Sequence, residues 1–335
     1  MSIPTIDLGA PDAPDQIGPI DEIGEACRSV GFFQVVGHGV PDEVIDTAWA
    51  QARRFFDLPL ADRMAAARRH PDDAYGYLPT GFEALERSRG TNDTAARAPA
   101  DLKETFNVGP FQTAPFQTSR HALDDPGVAW AFAPSVWPPA LPSLQPAFAA
   151  YAAAMDALAR RLMRAFAVTL DLDEQFFDTF IDDAPGALRA LNYPDTAGTP
   201  PAAGQLRAGA HTDYGTLTIL RQDDAPGGLE VLHPRTDRWT PVPATEGAFV
   251  VNLGDLIQRW TNDRWRSTLH RVVTPPPGSG PSRRQSVAFF HNANYHARIE
   301  CLPTCLVPGE APRHEPVVAG PHLMAKFRLA TGPET

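Results

Sequence analysis

His211-Thr212-Asp213, in the run Ala210-His211-Thr212-Asp213-Tyr214-Gly215-Thr216-Leu217-Thr218-Ile219-Leu220, sets an imidazole and a carboxylate two residues apart. In an extended segment successive side chains alternate faces, so His211 and Asp213 would point the same way and offer two ligands to a divalent metal. A third must come from elsewhere. His270, in Ser267-Thr268-Leu269-His270-Arg271-Val272-Val273, lies in another predicted strand of the same sheet region. Two His and one carboxylate leave metal positions open, which suits non-haem Fe(II) binding an oxidisable co-ligand and O2. Catalytic zinc also uses such a set, commonly with two His four apart on a helix, and no H-E-x-x-H occurs here. Taken alone, H-x-D is more often a hydrogen-bonded turn.

A second pair follows His270. Arg284 and Ser286, in Arg284-Gln285-Ser286-Val287-Ala288-Phe289-Phe290, share one face of a predicted strand. A guanidinium grips a carboxylate by charge-assisted, bidentate bonds, and a hydroxyl adds a donor. Open metal positions plus a carboxylate clamp fit a 2-oxo acid that chelates the metal at one end and is anchored at the other. By itself Arg284 reads as a surface charge beside Arg283.

The elements that must hold these residues are short strands after about residue 187. They cover Ala187–Tyr193, His211–Arg221, Gly228–Leu232, Phe249–Leu253, Ser267–Val273 and Ser286–His291, a spacing that suggests a sandwich or barrel. Before them stands the clearest helix, Ala147 to Leu170, with Phe148, Tyr151, Met155, Leu158, Leu162 and Phe166 at helical spacing. The N-terminal part alternates a strand at Ile3–Leu8, a helix from Pro19 to Val30, a strand at Phe32–Val36 and a helix that Pro41 opens in its first turn. Residues 86 to 101 read as a polar loop, and a final helix covers about Pro321 to Ala330. The fold class is therefore mixed α/β with a β-rich core. Residues 1–110 form a mixed region packed on a core of 111–335, in one compact unit.

In order, these segments make the chain resemble the Fe(II)/2-oxoglutarate-dependent dioxygenases, in the branch similar to isopenicillin N synthase. Ile3-Pro4-Thr5-Ile6-Asp7-Leu8 and Gly31-Phe32-Phe33-Gln34-Val35-Val36-Gly37-His38-Gly39-Val40 look like that branch's N-terminal signature. Leu102-Lys103-Glu104-Thr105-Phe106 resembles its K-E-x-F segment, and Asn192-Tyr193-Pro194 the strand before the metal motif. The resemblance implies a double-stranded β-helix (jelly roll) flanked by helices. It implies His211, Asp213 and His270 as Fe(II) ligands, Arg284 and Ser286 on the distal carboxylate of 2-oxoglutarate, and Tyr193 as a further contact. Plant members usually carry two tyrosines before the proline, where this chain has one, and Pro275–Ser282 enlarges the interval between His270 and Arg284. His38 sits in a glycine-flanked turn and is expected to be structural; His121, His233, His291, His296, His314 and His322 have no spacing that singles them out.

The activity so implied is oxidation of a C–H bond of a small molecule by O2, with 2-oxoglutarate as co-substrate: hydroxylation, desaturation or cyclisation, in specialised metabolism. Positions similar to substrate contacts in relatives are Thr105, Phe106, Leu191, Phe290 and Asn292, with a covering loop around Tyr75-Gly76-Tyr77. They are more aromatic and neutral than charged, which predicts an apolar or mixed substrate. Three alternatives stay open: an oxidase taking all its electrons from the substrate, a non-catalytic jelly-roll module that binds metal or ligand, and zinc hydrolysis.

Composition narrows the classes further. The 335 residues carry 29 Lys+Arg against 40 Asp+Glu, a net charge of −11, which disfavours a phosphate-backbone partner. A hydrophobic fraction of 43% with 21% charged residues is that of a globular chain rather than a disordered one. No run reaches the ~18 apolar residues of a membrane span, and the N-terminus lacks a signal-peptide pattern, so a cytoplasmic location is expected. Cys27, Cys301 and Cys305 do not suggest a disulfide framework.

Overall fold

The computed structural model describes residues 3–9, 18–89, 98–110, 124–196, 201–202 and 204–331. In chain order the first elements are β1 (Thr5–Asp7), α1 (Ile20–Ser29), β2 (Phe32–Val36), α2 (Asp42–Asp57), α3 (Leu60–Met64), β3 (Gly76–Leu78) and β4 (Glu104–Val108). Next come α4 (Pro126–Ala131), α5 (Leu144–Thr169), α6 (Asp178–Ile181), β5 (Ala187–Tyr193), β6 (Ala208–His211), β7 (Leu217–Gln222), β8 (Leu229–His233), β9 (Arg238–Pro241) and β10 (Phe249–Leu253). The last are α7 (Asp255–Trp260), β11 (His270–Val272), β12 (Arg284–His291), β13 (Arg298–Ile299), β14 (Val317–Val318) and α8 (Ala319–Thr331).

An eight-stranded sheet runs β1-β2-β10-β7-β12-β5-β4-β3, and a four-stranded sheet runs β6-β11-β8-β9. The larger sheet is antiparallel except where β1 lies parallel to β2. Strands from both sides of residue 110 share it, because β1–β2 extend one edge through β10 and β3–β4 the other through β5. It is covered on both faces, so β10 and β12 are buried nearly throughout, with Asn252, Arg284 and Ser286 on the inner side and Gln285 turned outward to donate to Trp49 O.

Period-2 alternation sorts the side chains. Leu188, Ala190, Leu217, Ile219, Phe249, Val251, Leu253, Val287 and Phe289 pack outward in a core with α1, α2 and α5. Leu191, Tyr193, Val250 and Ala288 point the other way, toward Ala208, Leu229, Val231 and Val272 of the smaller sheet. The site lies in this inner space, between two sheets of a jelly roll.

The spine helix α5 starts at Leu144, three residues before the expected Ala147. Pro146 is accommodated in the first turn, where its missing N–H costs nothing. It ends where Asp171 takes φ 57, a left-handed stop. Pro41 precedes α2 in extended conformation rather than entering its first turn. A 3-10 turn, Leu85–Arg89, replaces the start of the expected 86–101 loop, and residues 90–97 lie outside the described residues. No helix among the described residues is long and apolar enough to cross a membrane.

A candidate metal centre between two compartments

One expectation about the metal motif fails in its means. His211–Arg221 is not one strand: His211 ends β6 in the smaller sheet, and β7 begins at Leu217 in the larger. Asp213 sits in the turn that carries the chain between the sheets, so it meets His211 through that turn and not by strand alternation. The turn is clamped by backbone. Asp255 and Leu256, at the start of α7, donate to the carbonyls of Asp213 (2.8 Å) and Gly215 (3.0 Å), and Thr216 N–H donates to His291 O at 3.0 Å. Gly215 allows this approach, since a Cβ there would lie 2.5 Å from the His291 oxygen and 2.4 Å from Asn292 Oδ1.

His270 on β11 pairs directly with His211 on β6, which stacks the imidazoles with ring centroids 4.2 Å apart. Each ring is aimed by its own strand: His211 Nδ1 bonds to Gly209 O at 2.7 Å and His270 Nδ1 to Thr268 O at 3.0 Å. Both Nε2 atoms thus face Asp213 Oδ1, at 3.9 and 3.8 Å. The other Asp213 oxygen, Oδ2, is taken by Thr218 Oγ1–H (2.6 Å) and Asn252 Nδ2–H (2.7 Å), leaving Oδ1 as the free donor. One ligand atom from each residue lies within 4.8 Å of the other two.

Burial, with His270 beside it, pulls the His211 pKa down to about 3, so the ring is neutral at pH 7, as a metal ligand must be. Burial opposes the charge on Asp213, but the facing imidazoles and the two hydrogen bonds hold its carboxyl below the ordinary range. A hard, acceptor-only oxygen with two imidazole nitrogens is a donor set that could hold Fe(II).

Two cavities meet at these ligands. The inner one, about 560 Å³, is lined by all three together with Tyr193, Arg284 and Ser286. Arg284 is 1% exposed; its Nη2 donates to Gln222 Oε1 at 2.6 Å, but Nε and Nη1 have no hydrogen-bond partner among the described residues. The nearest carboxylate, Asp223 Oδ1, is 3.8 Å from Nε, outside hydrogen-bond reach. A buried guanidinium edge left open in this way is complementary to an incoming carboxylate. Ser286 Oγ and Tyr193 Oη lie 3.5 Å apart, and the Arg284 guanidinium stands 5.1 Å from the Tyr193 ring centre, so the predicted clamp residues converge.

The outer cavity encloses about 810 Å³ including its mouth. His211, Asp213, Phe290 and Asn292 line it along with Tyr75, Trp130, Leu323 and Phe327, and it also takes in Glu83, Asn107 and Arg189. Of the predicted substrate positions, Phe290 lines both cavities, Asn292 the outer and Leu191 only the inner. Phe106 does not belong to the site: β4 turns it outward, where it stacks on Phe55 at 4.4 Å. Thr105 lines neither cavity. Neighbours on one strand face opposite sides, so the two could not both serve. The segment at Tyr75–Tyr77 is not a covering loop, since Gly76–Leu78 is edge strand β3 and Tyr77 Oη donates to Glu104 at 2.5 Å.

Charged groups here escaped the sequence reading. Arg189 lies on the same face of β5 as Leu191 and Tyr193, so alternation from those two residues was the available signal. Asn252, Thr218 and Gln222 carry no motif and are found only through the sheet register. His38 packs on Phe249 at 4.5 Å and accepts from Val40 N–H, in keeping with a structural role. His121 lies outside the described residues.

Comparison with known proteins extends the picture. Residues 3–140 match a family model described as "non-haem dioxygenase in morphine synthesis N-terminal", and residues 185–293 match the "2OG-Fe(II) oxygenase superfamily". The "2-oxoglutarate-Fe(II) type oxidoreductase hxnY" of Emericella nidulans is 32% identical over 316 residues, 93% of this chain and 85% of that protein. A full-length Neurospora crassa protein solved "in complex with alpha-KG and thymine" superposes with a TM-score of 0.77 at 28% identity, covering 97% of this chain and 96% of that one. JOX2 "in complex with 2OG, Fe, and JA" gives 0.77 at 28% identity, covering 99% and 86%.

Proposed function

The chain belongs to the 2OG-Fe(II) oxygenase superfamily, and on that premise we propose that His211, Asp213 and His270 hold its Fe(II) while Arg284, Ser286 and Tyr193 take the distal carboxylate of 2-oxoglutarate. The observation that carries this reading is the division of labour on Asp213: Oδ2 is saturated by Thr218 and Asn252, and Oδ1 alone faces both Nε2 atoms. The unpaired Nε and Nη1 of Arg284, in the same cavity, supply the matching anchor.

When bound, Fe(II) with 2-oxoglutarate and O2 supplies oxidation of a C–H bond coupled to loss of CO2, so that one oxygen atom ends in the product or water and the other in succinate. The protein's residues do the rest. The backbone bonds at His211 and His270 keep Nδ1 protonated and Nε2 free, and Thr218 and Asn252 stop Asp213 from rotating. Arg284 fixes one end of the co-substrate. Phe290, at the junction of the two cavities, with Trp130, Leu323 and Phe327, keeps water from the reacting bond and packs the organic substrate against the metal side. The substrate is a small molecule of a size the outer cavity can hold, in specialised metabolism.

The test is anaerobic visible absorption of the Fe(II) protein before and after adding 2-oxoglutarate. A weak charge-transfer band is expected in the native protein and none in Asp213→Ala, which should also lose iron and all succinate release. A band that persists in Asp213→Ala would overturn the ligand assignment.

A further inference from the structure

Besides Tyr75, His211, Asp213, Tyr214 and Asn292, the polar lining of the outer cavity is Glu83, Asn107 and Arg189. Arg189 donates from Nε to Asn107 Oδ1 (2.7 Å) and from Nη1 to Glu83 Oε1 (3.1 Å), and its Nη2 makes no hydrogen bond among the described residues. Asn107 is 3% exposed and lines the cavity, and its Nδ2 is buried with no hydrogen-bond partner among the described residues. Behind this wall, Glu83 Oε2 takes the fully buried Lys103 ammonium at 3.0 Å. The same ammonium bonds to Asp101, which also accepts from Gly209 N–H at 2.8 Å and Leu85 N–H at 3.2 Å.

Burial would discharge Lys103, but Asp101 and Glu83 more than offset it and raise its pKa. Burial likewise opposes Glu83, yet Arg189 and Lys103 bring it down to about 2. Burial pushes the Asp101 carboxyl up, against the three donors that converge on it. Of the charged side chains that line the cavity itself, Arg189, Glu83 and Asp213, two are carboxylates, and the cation Arg189 is paired with Glu83.

That pairing discriminates between ligands. A substrate carboxylate would be desolvated beside the carboxylates of Glu83 and Asp213, and the lining cation Arg189 is already paired with Glu83. A neutral oxygen acceptor meets no such cost. It would also satisfy the buried Asn107 Nδ2 and the open Arg189 Nη2. Glu83, with lone pairs to spare, would accept from an adjacent N–H or O–H. Resting on the site reading above, we propose that the substrate is a neutral small molecule carrying a carbonyl-type oxygen beside an N–H or O–H, held by Asn107, Arg189 and Glu83 with its apolar body toward Trp130 and Phe327.

Calorimetric titration of the Fe(II)- and 2-oxoglutarate-loaded protein under argon tests this with two sets of probes: 2-pyrrolidinone, succinimide, 2-pyridone and phthalimide against cyclopentanecarboxylate and benzoate. At least one neutral probe should bind about ten-fold or more tightly than its carboxylate counterpart. Asn107→Leu should weaken that probe about ten-fold, and Glu83→Gln, which removes the carboxylate paired with Arg189, should narrow or reverse the preference. Carboxylates that bind as tightly as the neutral probes, or failure of every neutral probe to bind, overturns the proposal. The charge-transfer band reports the co-substrate side and the heats report the polar wall, so failure of the site reading is seen separately.

Discussion

The two compartments that meet at His211 and Asp213 are built in different ways. The inner one is a product of strand alternation. Tyr193, Arg284 and Ser286 occupy same-face positions of β5 and β12, and pairing of Arg284 with Tyr193 and of Ser286 with Leu191 aligns them. The outer one is assembled from segments far apart in the chain: residues 74–75 and 83–85, the α4 residues Trp130 and Ala131, and the α8 residues Leu323, Phe327 and Ala330. Its polar wall is a buried ion cluster rather than a row along one strand. Groups that meet an invariant reagent can be fixed by register, whereas a wall that selects among substrates is made of parts that can be exchanged independently.

The sharpest way to break this comparison is to exchange faces on neighbouring strands. Phe106→Ala opens a hole beside Phe55 and Phe148 and should cost roughly 3–5 kcal/mol of stability by denaturant titration. At a temperature where the variant is folded, its kcat/KM should stay near the native value. Phe290→Ala, on the inner face, should reverse the pattern with a modest stability loss and a large fall in kcat/KM. A large kcat/KM loss in folded Phe106→Ala would put β4 in the opposite orientation. One step smaller, Arg284→Met leaves the metal set intact and removes the guanidinium. Charge-assisted hydrogen bonds are worth about 1.5–3 kcal/mol, so the concentration of 2-oxoglutarate giving half the charge-transfer band should rise roughly 10- to 150-fold. An unchanged requirement would mean that Arg284 grips something else.

What could be read before the structure follows the same division. The proposed metal and clamp residues stand out in the sequence because each belongs to a short motif on one strand or at its end, and the motifs occur in order. Even so, the reason given for His211 and Asp213 was wrong, because alternation along one strand says nothing about a turn that changes sheets. The register that brings His270 opposite His211 is a long-range pairing that no local pattern encodes. Lys103 was noticed only as part of a resemblance to K-E-x-F. A lysine in a chain normally reads as solvent-facing, and only the partners Asp101 and Glu83 make its full burial tolerable. Phe106 was misplaced for the converse reason, since an aromatic beside a motif looks like a pocket residue until its face is known.

Within the inner compartment, Asn252→Ala probes how far the metal ligand depends on the residues that hold it. Asn252 touches no ligand position, yet it is one of two donors keeping Asp213 Oδ2 occupied. Loss of such a support typically costs about 10- to 100-fold in metal affinity. Competition for Fe(II) with a chelator should show a fall in that range, and Asn252→Asp, which puts a second negative charge against Asp213, should not rescue it. Native affinity in Asn252→Ala would mean that Thr218 alone suffices.

The smallest effect is a loss of stability that begins only in acid, and it belongs to the outer compartment. The Glu83 pKa is about 2 in the folded protein against an ordinary value of 4.5, because Arg189 and Lys103 outweigh its burial. A carboxyl depressed on folding contributes its full stabilisation above the unfolded pKa and loses it as pH falls through the folded one. Between about pH 4.5 and 2, the native protein should therefore lose stability that Glu83→Gln does not lose, since the amide has no proton to gain. The difference in unfolding free energy between the two, measured by urea titration across that window, should shrink steadily as pH falls. The inner compartment supplies the control: Ser286→Ala removes a hydroxyl that does not titrate there, so its difference from the native protein should stay flat over the same range. A Glu83→Gln difference that stays equally flat would mean that the carboxylate is not held by Arg189 and Lys103 in solution, and the paired wall of the outer cavity would lose its basis.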